Sequence, residues 1–380
     1  MPQPPIFAVE SPMFEPSLLV RKHILDMPAY EPILPFEVLS QQLGRPADQI
    51  VKLDANENPY GPLPSVFEAL AHLPYAHIYP DPGSRALRAA LSNFLGVPDE
   101  NLLAGAGADE LIDLILRLLI EPGEAILNCP PTFGMYAFDG DLAEARVISI
   151  PRLPDFSVDI QAIEEAAQVR HPKLLFLASP NNPDGSLVSR ADLERLLDLP
   201  LILVLDEAYV EFAPPGASLL KEVPQRSNLV VLRTFSKWAG LAGLRVGYGA
   251  FPSSLMPHLW KIKQPYNVSV AASTAAIVSL QHAGELRHMG ELILAERRRL
   301  FEKLQAIPWL KPYPSQSNFI LCKVAGMDAN RLKSNLAKNG ILVRYFNKPG
   351  LQNCIRISVG KPEHTDALIE ALWKGSYENL

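Results

Sequence analysis

Residues 201–209 read Leu-Ile-Leu-Val-Leu-Asp-Glu-Ala-Tyr, an apolar run that predicts a strand and ends on the carboxylate of Asp206. Similar short apolar runs lie before and after it, with helical periodicity between several of them. The further predicted strands are Asn101–Ala104, Ala125–Asn128, Arg146–Ile150, Leu174–Leu177, Leu229–Leu232 and Val246–Ala250. Because strands interleaved with helices form mostly parallel sheets, this part of the chain is predicted to be an α/β domain.

A second pattern begins after Ser269, where a long, mainly helical stretch reaches about Ala306 and is expected to break or bend near Gly284 and Gly290. A smaller α+β unit follows, and the long helix would hold the two units around a cleft, a frequent ligand site. Its predicted strands are Asn318–Val324, Ile341–Tyr345 and Cys354–Ser358, with predicted helices at Met327–Lys338 and Pro362–Lys374. The helices Arg85–Phe94 and Glu110–Leu119 are predicted in the preceding α/β domain.

The N-terminal 45 residues are rich in proline, which removes backbone donors and interrupts helices, so we expect an extended arm. Its apolar side chains include Phe7, Phe14, Leu18 and Tyr30. For residues 1–16 two interpretations stay open, a disordered tail or a segment packed on its own or a neighbouring subunit. The predicted domain division is 1–45 for the arm, 76–284 for the large domain, and 46–75 with 285–380 for the small domain and connecting segments.

Composition excludes several classes of protein. The 380 residues carry 35 Lys+Arg and 41 Asp+Glu, a net charge of −6. The densest basic run, Arg297-Arg298-Arg299, has the pattern of a solvated helix face, so we predict no nucleic-acid partner. The longest apolar stretch, Leu111 to Ile120, contains Asp113 and Arg117 and is too short to span a membrane. We therefore expect a soluble protein of two to three domains.

Cysteine, histidine and N-terminal patterns give no further site. The three cysteines are Cys129, Cys322 and Cys354, which are far apart and predict neither a disulfide framework nor a zinc site. The eight histidines lack the spacing that puts two ligands on one helix face, so we predict no metal. The N-terminus has no secretory signal, and the expected location is cytoplasmic.

Polar residues follow five predicted strands, where ligands gather in an open parallel sheet. Gly105–Glu110 predicts a phosphate cup at a helix start, although it lacks the third glycine of a dinucleotide fingerprint, which argues against a nicotinamide dehydrogenase. Asp206 is interpreted either as a helix N-cap or as the partner of a cationic ring nitrogen. Lys237 stands among hydroxyls with Arg245 eight residues on, a pattern that suits a Schiff base beside a bound phosphate.

Three motifs together resemble those of fold-type I pyridoxal-phosphate (PLP) aminotransferases of the class II subfamily. They are Ser179-Pro-Asn-Asn-Pro-Asp-Gly185, Asp206-Glu-Ala-Tyr209 and Arg233-Thr-Phe-Ser-Lys-Trp-Ala-Gly-Leu-Ala-Gly-Leu-Arg245. Their order and spacing match from about residue 50 to the C-terminus. The implied fold is α/β, a fold-type I PLP-transferase with a large mostly parallel-sheet domain and a smaller α+β domain.

The closer resemblance is to the histidinol-phosphate aminotransferase family. The segments that carry it are Leu53-Asp-Ala-Asn-Glu-Asn-Pro-Tyr-Gly61, Tyr79-Pro-Asp-Pro, Gly105-Ala-Gly-Ala-Asp-Glu110, Cys129-Pro-Pro-Thr-Phe-Gly-Met-Tyr136 and Cys354-Ile-Arg-Ile-Ser-Val-Gly360. Two positions depart from the family pattern: Asp184 replaces the common threonine, and Phe133 replaces the tyrosine that stacks on the cofactor ring. We expect the turn, the cofactor contact and the stacking to survive.

The resemblance implies a role for each cofactor residue. Lys237 would form the Schiff base with PLP and move the proton, and Asp206 would keep the ring nitrogen protonated. Tyr209 and Asn182 would bond the ring oxygen, and Phe133 would stack on the ring. The implied phosphate contacts are the backbone N–H groups of Ala108 and Asp109, the hydroxyls of Thr234 and Ser236, Arg245, and Tyr79 from the partner subunit of a homodimer with shared active sites.

The resemblance also implies the substrates, histidinol phosphate as amino donor and 2-oxoglutarate as acceptor, in histidine biosynthesis. Arg356, with Arg344 on the preceding strand, would bind the substrate phosphate in one half-reaction and a carboxylate in the other. Tyr60 is a further candidate for contacting the substrate phosphate from across the dimer, and Asn182 is a further substrate-binding candidate. Arg344 is open to a second interpretation as a surface residue.

Three alternatives remain at this stage. An aromatic amino-acid aminotransferase and a threonine-phosphate decarboxylase of the same fold would use the same Lys237, Asp206 and Arg245, because specificity lies in the small domain and the arm. The third is a non-catalytic regulator that keeps the fold for binding. The proline-interrupted arm leaves no room for a compact helix-turn-helix before the fold, which argues against the regulator.

Overall fold

The structure is a computed structural model that describes residues 15–29 and 34–375. The strands are β1 (Val51–Leu53), β2 (Leu102–Gly105), β3 (Ala125–Asn128), β4 (Arg146–Ser149), β5 (Leu174–Ala178), β6 (Ile202–Asp206), β7 (Leu229–Thr234), β8 (Gly247–Ala250), β9 (Leu310–Pro312), β10 (Phe319–Val324), β11 (Ile341–Tyr345) and β12 (Cys354–Ser358). The first helices are α1 (Lys22–Asp26), α2 (Phe36–Leu43), α3 (Pro64–Ala71), α4 (Arg85–Leu95), α5 (Ala108–Leu119), α6 (Met135–Leu142) and α7 (Ile160–Arg170). The remaining helices are α8 (Arg190–Leu197), α9 (Met256–Ile262), α10 (Val270–Gln281), α11 (Ala283–Gln305), α12 (Ala329–Lys338) and α13 (Pro362–Gly375).

A seven-stranded sheet forms the centre of the fold, with the order β2-β8-β7-β6-β5-β3-β4. Every neighbouring pair is parallel except those of β8, which runs antiparallel to β2 and β7. The mostly parallel sheet and the α/β class predicted from the sequence are confirmed. The seven predicted strands of this region are present, with bounds that differ by at most two residues at either end.

Both faces of this sheet are buried, which explains why its central strands are continuously apolar. Successive side chains of a strand point to opposite faces, so Leu203 and Leu205 of β6 enter one apolar core while Val204 enters the other. The face of Val204 is covered by α5, whose residues 111–116 contribute five buried aliphatic side chains. Such a sheet is a rigid support for whatever projects from its strand ends.

A second sheet of five strands has the order β1-β11-β12-β10-β9. β1 runs parallel to β11, and the other neighbours are antiparallel. The three predicted strands of the α+β unit are confirmed, whereas β1 and β9 were missed. Each of these two strands has only three residues, too few for a period-two pattern to be recognised. The consequence matters for the site, because β1 brings the segment after residue 53 against the C-terminal part of the chain.

The helical stretch after Ser269 is divided once, at His282, between α10 and α11. The expected break near Gly284 is therefore close to the observed one. At Gly290 the helix continues without a break. Gly290 lies within α11, where a single glycine costs only about 1 kcal/mol relative to alanine and is outweighed by burial of the helix face.

The N-terminal arm is not extended throughout, and that expectation is wrong for its described part. Residues 16–19 form a 3-10 helix, and α1 and α2 are short helices. Proline limits where these helices begin rather than preventing them, since Pro35 directly precedes α2 and Pro16 opens the 3-10 helix. Phe7, Phe14 and Tyr30 lie outside the described residues. Within the described ranges no helix has the length and apolar character needed to cross a bilayer.

Candidate active site

The carboxyl ends of β5, β6 and β7 lie side by side at one edge of the seven-stranded sheet, because these strands are parallel neighbours. Each is followed by one of the polar segments singled out in the sequence. The loop of Asn182 follows β5, Asp206 is the last residue of β6, and Thr234 ends β7. Lys237 stands three residues beyond that end. Sheet topology therefore gathers residues that are up to 55 positions apart in sequence, the separation of Asn182 and Lys237.

Asp206 is a buried carboxylate, 6% exposed, held by two donors. The hydroxyl of Tyr136 donates to its Oδ2 at 2.6 Å, and the N–H of Ala208 donates to its Oδ1 at 3.0 Å. Burial raises the pKa of Asp206 to about 6, against the opposing effect of these hydrogen bonds. A cation placed beside this carboxylate would stabilise its charged form, so the residue fits the protonated nitrogen of an aromatic ring.

A second cluster fits a phosphate. The hydroxyl of Thr234 donates to Ser236 Oγ at 2.9 Å, and both side chains are buried. Arg245 donates to Ser236 Oγ at 3.4 Å and to Asp109 Oδ2 at 3.0 Å, where its guanidinium meets the start of α5. Gly107, immediately before α5, has φ +84°, and a Cβ there would lie 2.4 Å from Arg245 Nη2. This cradle of N–H groups, hydroxyls and guanidinium is open only because residue 107 is glycine.

Lys237 projects into a cavity that is lined in part by the N-terminal arm, a contact that was not predicted from the sequence. Its Nζ donates to the carbonyl of Ala55 at 3.5 Å and lies 5.9 Å from the centre of the Tyr209 ring. The same cavity is lined by residues 34–37 of the arm and by Lys52 and Glu57, which form an ion pair at 2.7 Å. Residues 34–37 of the arm thus lie beside the lysine.

The two sheets meet at Arg356 of β12. One of its N–H groups donates to Oδ1 of Asn182 at 2.5 Å and another to the carbonyl of Asp54 at 2.7 Å. Arg344 of β11 is opposite Arg356 in the sheet register, and both guanidinium groups lie within 6 Å of the Phe346 ring, at 5.8 and 5.4 Å. Two positive charges therefore flank one aromatic ring near Asn182.

Three predicted site residues make other contacts in the structure. Tyr79 is 79% exposed, and its ring stacks on Tyr266 with centroids 4.6 Å apart. Tyr60 is half-buried beside Lys361, whose Nζ is 5.6 Å from its ring, and burial raises its pKa. Phe133 meets the ring of Tyr136 edge-on at 5.5 Å. Only Phe133 of these three is thereby tied to the Asp206 end of the site.

The turn at Asp184 survives its departure from the family pattern. Asp184 is buried, accepts hydrogen bonds from Nδ2 of Asn181 and from the N–H of Ser186, and precedes Gly185 at φ +80°. Asn181 in turn accepts from the hydroxyl of Thr132 at 2.7 Å. Asp184 therefore anchors the loop of Asn182 to the loop of Phe133.

Two contributors were missed. Tyr136 lies in a segment that carried the family resemblance, but nothing in the sequence showed that its hydroxyl reaches Asp206. Asn56 lies in another such segment, and its side chain donates to the hydroxyl oxygen of Tyr209 at 3.1 Å. Both are polar residues within segments that carry the family resemblance, and neither had an assigned role. That combination could have marked them as candidates.

Taken together, the donor set fits PLP. Asp206 suits its ring nitrogen, the Arg245 cradle suits its phosphate, and the amine of Lys237 suits its aldehyde carbon. Among the described residues no group of three or more His, Cys, Asp or Glu side chains is arranged to hold a metal ion.

Comparisons with known proteins agree with this chemistry. The profile of the family described as "Aminotransferase class I and II" matches residues 48–372. Histidinol-phosphate aminotransferase 1, chloroplastic, of Arabidopsis thaliana is 55% identical over 93% of this chain and 85% of its own length. The histidinol-phosphate aminotransferase of Roseiflexus castenholzii is 52% identical over 93% of this chain and 97% of its own length.

A solved structure has the same fold. The histidinol-phosphate aminotransferase of Sinorhizobium meliloti, in complex with pyridoxal-5'-phosphate, superposes with a TM-score of 0.86 at 29% identity. The match covers 94% of this chain and 98% of that one.

Proposed function

The chain belongs to the class I and II aminotransferases, and within them to the histidinol-phosphate aminotransferases, and from this premise we propose that it transfers the amino group of histidinol phosphate to 2-oxoglutarate. The products are imidazole acetol phosphate and glutamate, and the reaction belongs to histidine biosynthesis. The observation that carries the proposal is the set of side chains at the ends of β6 and β7, where Asp206, Arg245 and Lys237 fit the three ends of PLP.

Lys237 is proposed as the catalytic base and acid. PLP, when bound, supplies an electron sink that stabilises negative charge on the substrate carbon that carries the amine. Nζ of Lys237 takes the proton from that carbon and later returns a proton. The support is its position in the cavity, 5.9 Å from the Tyr209 ring.

The cofactor residues are proposed from the donor types that surround each end of the site. Asp206 keeps the ring nitrogen protonated, and the second donor from Tyr136 fixes the carboxylate. Tyr209 and Asn182 donate to the ring oxygen, and Phe133 stacks on the ring. The proposed phosphate contacts are the N–H groups of Ala108 and Asp109, Thr234, Ser236, Arg245 and the partner subunit's Tyr79.

Substrate recognition is proposed for Arg344 and Arg356, with Asn182 bonded to Arg356 and with Tyr60 contributing from across the dimer. Two guanidinium groups flanking Phe346 supply enough charge and donors for a phosphate in one half-reaction and a carboxylate of 2-oxoglutarate in the other. Because Arg356 also donates to Asn182, a substrate anion held there would be next to the cofactor ring oxygen.

A homodimer with shared sites, a cytoplasmic location and the three-part domain division are also proposed. Exposed apolar side chains support the dimer, since Tyr75, Ile78 and Tyr79 form a surface run that is 53–79% exposed. Mixing Lys237→Ala and Tyr79→Ala proteins tests it. If Tyr79 acts across the interface, activity returns to about a quarter of wild type, because half of the dimers are mixed and each mixed dimer has one intact site. No recovery would contradict the shared site.

The substrate is tested by single-turnover spectra of the cofactor-loaded protein mixed separately with histidinol phosphate, phenylalanine and phosphothreonine. Rapid conversion of the cofactor to its amine form, selective for histidinol phosphate, is expected. Conversion with phenylalanine alone would indicate an aromatic aminotransferase, and release of carbon dioxide from phosphothreonine would indicate a decarboxylase. Lys237→Ala is the control and should give no conversion.

A further inference from the structure

Three successive residues, Asp54, Ala55 and Asn56, each contact a different residue of the proposed site. The carbonyl of Asp54 accepts from Arg356, the carbonyl of Ala55 accepts from Lys237, and the side chain of Asn56 donates to the hydroxyl of Tyr209. Asn56 is 1% exposed and has φ +55°, a left-handed conformation that costs energy for a residue other than glycine. The surrounding contacts must therefore hold it there.

Ser358 sets the orientation of the Asn56 side chain. The hydroxyl oxygen of Ser358 accepts from the backbone N–H of Asn56 at 2.8 Å, and the same hydroxyl donates to Oδ1 of Asn56 at 3.1 Å. This exchange turns the carbonyl end of the amide toward β12 and leaves Nδ2 facing Tyr209 at 3.1 Å. The side-chain amide of Asn318 also holds the turn, by donating to the carbonyl of Asn56 at 3.0 Å.

We propose that Asn56 is a positioning residue that directs the hydroxyl proton of Tyr209 toward the ring oxygen of the cofactor. An amide N–H can only donate, so it occupies the acceptor side of the phenol oxygen. The phenol proton must then point away from Asn56. This inference rests on the proposed function, because it takes Tyr209 as the donor to the bound cofactor.

The residue acts across the junction of the two sheets. Asn56 is anchored to the five-stranded sheet through Ser358, whereas Tyr209 follows β6 of the seven-stranded sheet. A donor that stabilises the charged ring oxygen lowers the basicity of the lysine–cofactor linkage, so losing that donor raises the pH at which the cofactor absorbance changes. Three charged side chains, Glu37, Lys52 and Glu57, line the cavity that holds Lys237. On the side of Tyr209, Tyr136 interacts electrostatically with it and is itself bonded to Asp206. Arg356 and Tyr209 both lie against the ring of Phe319.

The test is a pH titration of the visible absorbance of the cofactor-loaded protein, without substrate. Tyr209→Phe is the reference and should raise the midpoint by about one pH unit, the effect of one lost hydrogen bond to a charged group. Asn56→Asp reverses the bond, because a carboxylate accepts the phenol proton, and should raise the midpoint at least as far. Asn56→Gly tolerates the positive φ and removes both the donor to Tyr209 and the acceptor for Ser358 without adding a new acceptor for the phenol proton, so it should give a smaller rise.

Asn318→Ala is the matched control, since it removes another hydrogen bond of the same turn and leaves the Asn56–Tyr209 contact in place. It should titrate as wild type, and Asn56→Asp combined with Tyr209→Phe should shift no further than the larger single shift. Wild-type titration of both Asn56 variants, or an equal shift in Asn318→Ala, would overturn the inference. If Asn56→Asp fails to fold, Asn56→Gly decides alone.

The titration distinguishes a failure of the proposed role of Asn56 from a failure of the proposed function. A shift in Tyr209→Phe without one in the Asn56 variants leaves the proposed function standing and removes only the role of Asn56. A wild-type titration of Tyr209→Phe, or no visible cofactor absorbance in the wild-type protein, contradicts the cofactor site itself and the inference with it.

Discussion

Replacing Asp184 by asparagine is expected to destabilise the protein although the two side chains have nearly the same shape. Both oxygens of the buried carboxylate accept hydrogen bonds, Oδ1 from Nδ2 of Asn181 and Oδ2 from the N–H of Ser186 at 2.8 Å. A carboxamide can accept only one of them and turns its own NH2 group toward the other donor. Asp184 is 2% exposed, so solvent does not replace the lost partner.

The magnitude follows from the bonds lost and from the neighbouring Arg152. A hydrogen bond to a charged group contributes about 1.5–3 kcal/mol, and leaving a buried donor unsatisfied costs about 1–3 kcal/mol. Burial lowers the pKa of Arg152, and the charge of Asp184 is the strongest opposing influence, so the variant also removes a counter-charge. Part of this cost is offset, because the variant no longer buries a charged carboxylate. We expect Asp184→Asn to lower the free energy of unfolding by about 3 kcal/mol.

Asp184→Thr introduces the residue common in the family and should cost less, about 2 kcal/mol, because a hydroxyl can still accept from Ser186. Urea unfolding of the cofactor-loaded protein, followed by tryptophan fluorescence and circular dichroism, measures both changes. Asp155→Asn is the matched control, since Asp155 also accepts from a following serine but is exposed, and it should change the stability by less than about 0.5 kcal/mol.

Coupling with the buried arginine refines the test. The double variant Arg152→Met/Asp184→Asn should lose about 1 kcal/mol less unfolding free energy than the sum of the losses in the two single variants. The reason is that each single variant leaves one buried charge without its counter-charge, whereas the double variant removes both charges. An Asp184→Asn protein as stable as the Asp155→Asn control, or strict additivity with Arg152→Met, would refute the reasoning.

Three further substitutions have calculable outcomes. Gly240→Ala should lower the unfolding free energy by about 3 kcal/mol or prevent folding, since its φ is +70° and a Cβ would lie 2.4 Å from the backbone of Gly61, and a wild-type melting temperature would contradict this. Gly107→Ala should raise the dissociation constant of PLP from the apoprotein at least about tenfold by displacing Arg245, which titration monitored by absorbance measures. Asp139 is 8% exposed, and burial raises its pKa to about 7. The folded protein therefore binds more protons than the unfolded chain between about pH 4 and 7, and its stability falls as the pH rises through that window. Asp139→Asn should then stabilise the protein at pH 8 by about 2 kcal/mol and by much less at pH 4, and equal effects in urea unfolding at both pH values would exclude this.

Much of the fold follows from local pattern. The apolar run before Asp206 and the helical period after Gly107 each specify an element by themselves, and the alternation of such elements specifies the sheet. The residues at the strand ends could be named for the same reason, because a parallel sheet gathers its carboxyl ends. Once β6 and β7 were placed, the proximity of Asp206 and Thr234 required no further information.

Contacts between distant segments could not be obtained in that way. The hydrogen bond from Tyr136 to Asp206 joins positions 70 residues apart, and that from Asn56 to Tyr209 joins positions 153 residues apart. Both depend on how one element packs over the end of another, a geometry that periodicity does not encode. The three residues of β1 likewise show no pattern that predicts a strand. Their parallel pairing with β11 nevertheless places Asn56 at the site.

The proposed cofactor residues and the proposed substrate residues lie on different sheets, and this separation affects how substrate preference is determined. Apart from the partner subunit's Tyr79, the residues proposed for PLP lie next to strand ends of the seven-stranded sheet, whereas Arg344 and Arg356 belong to the five-stranded sheet. The turn at residues 54–56 links them, because neighbouring carbonyls accept from Arg356 and from Lys237. Substitutions in the second sheet can therefore change which anion is held while the cofactor contacts of the first stay in place. The same turn limits this independence. A substitution that moves Arg356 also displaces the carbonyl of Asp54, which is next to the carbonyl of Ala55 that accepts from Lys237.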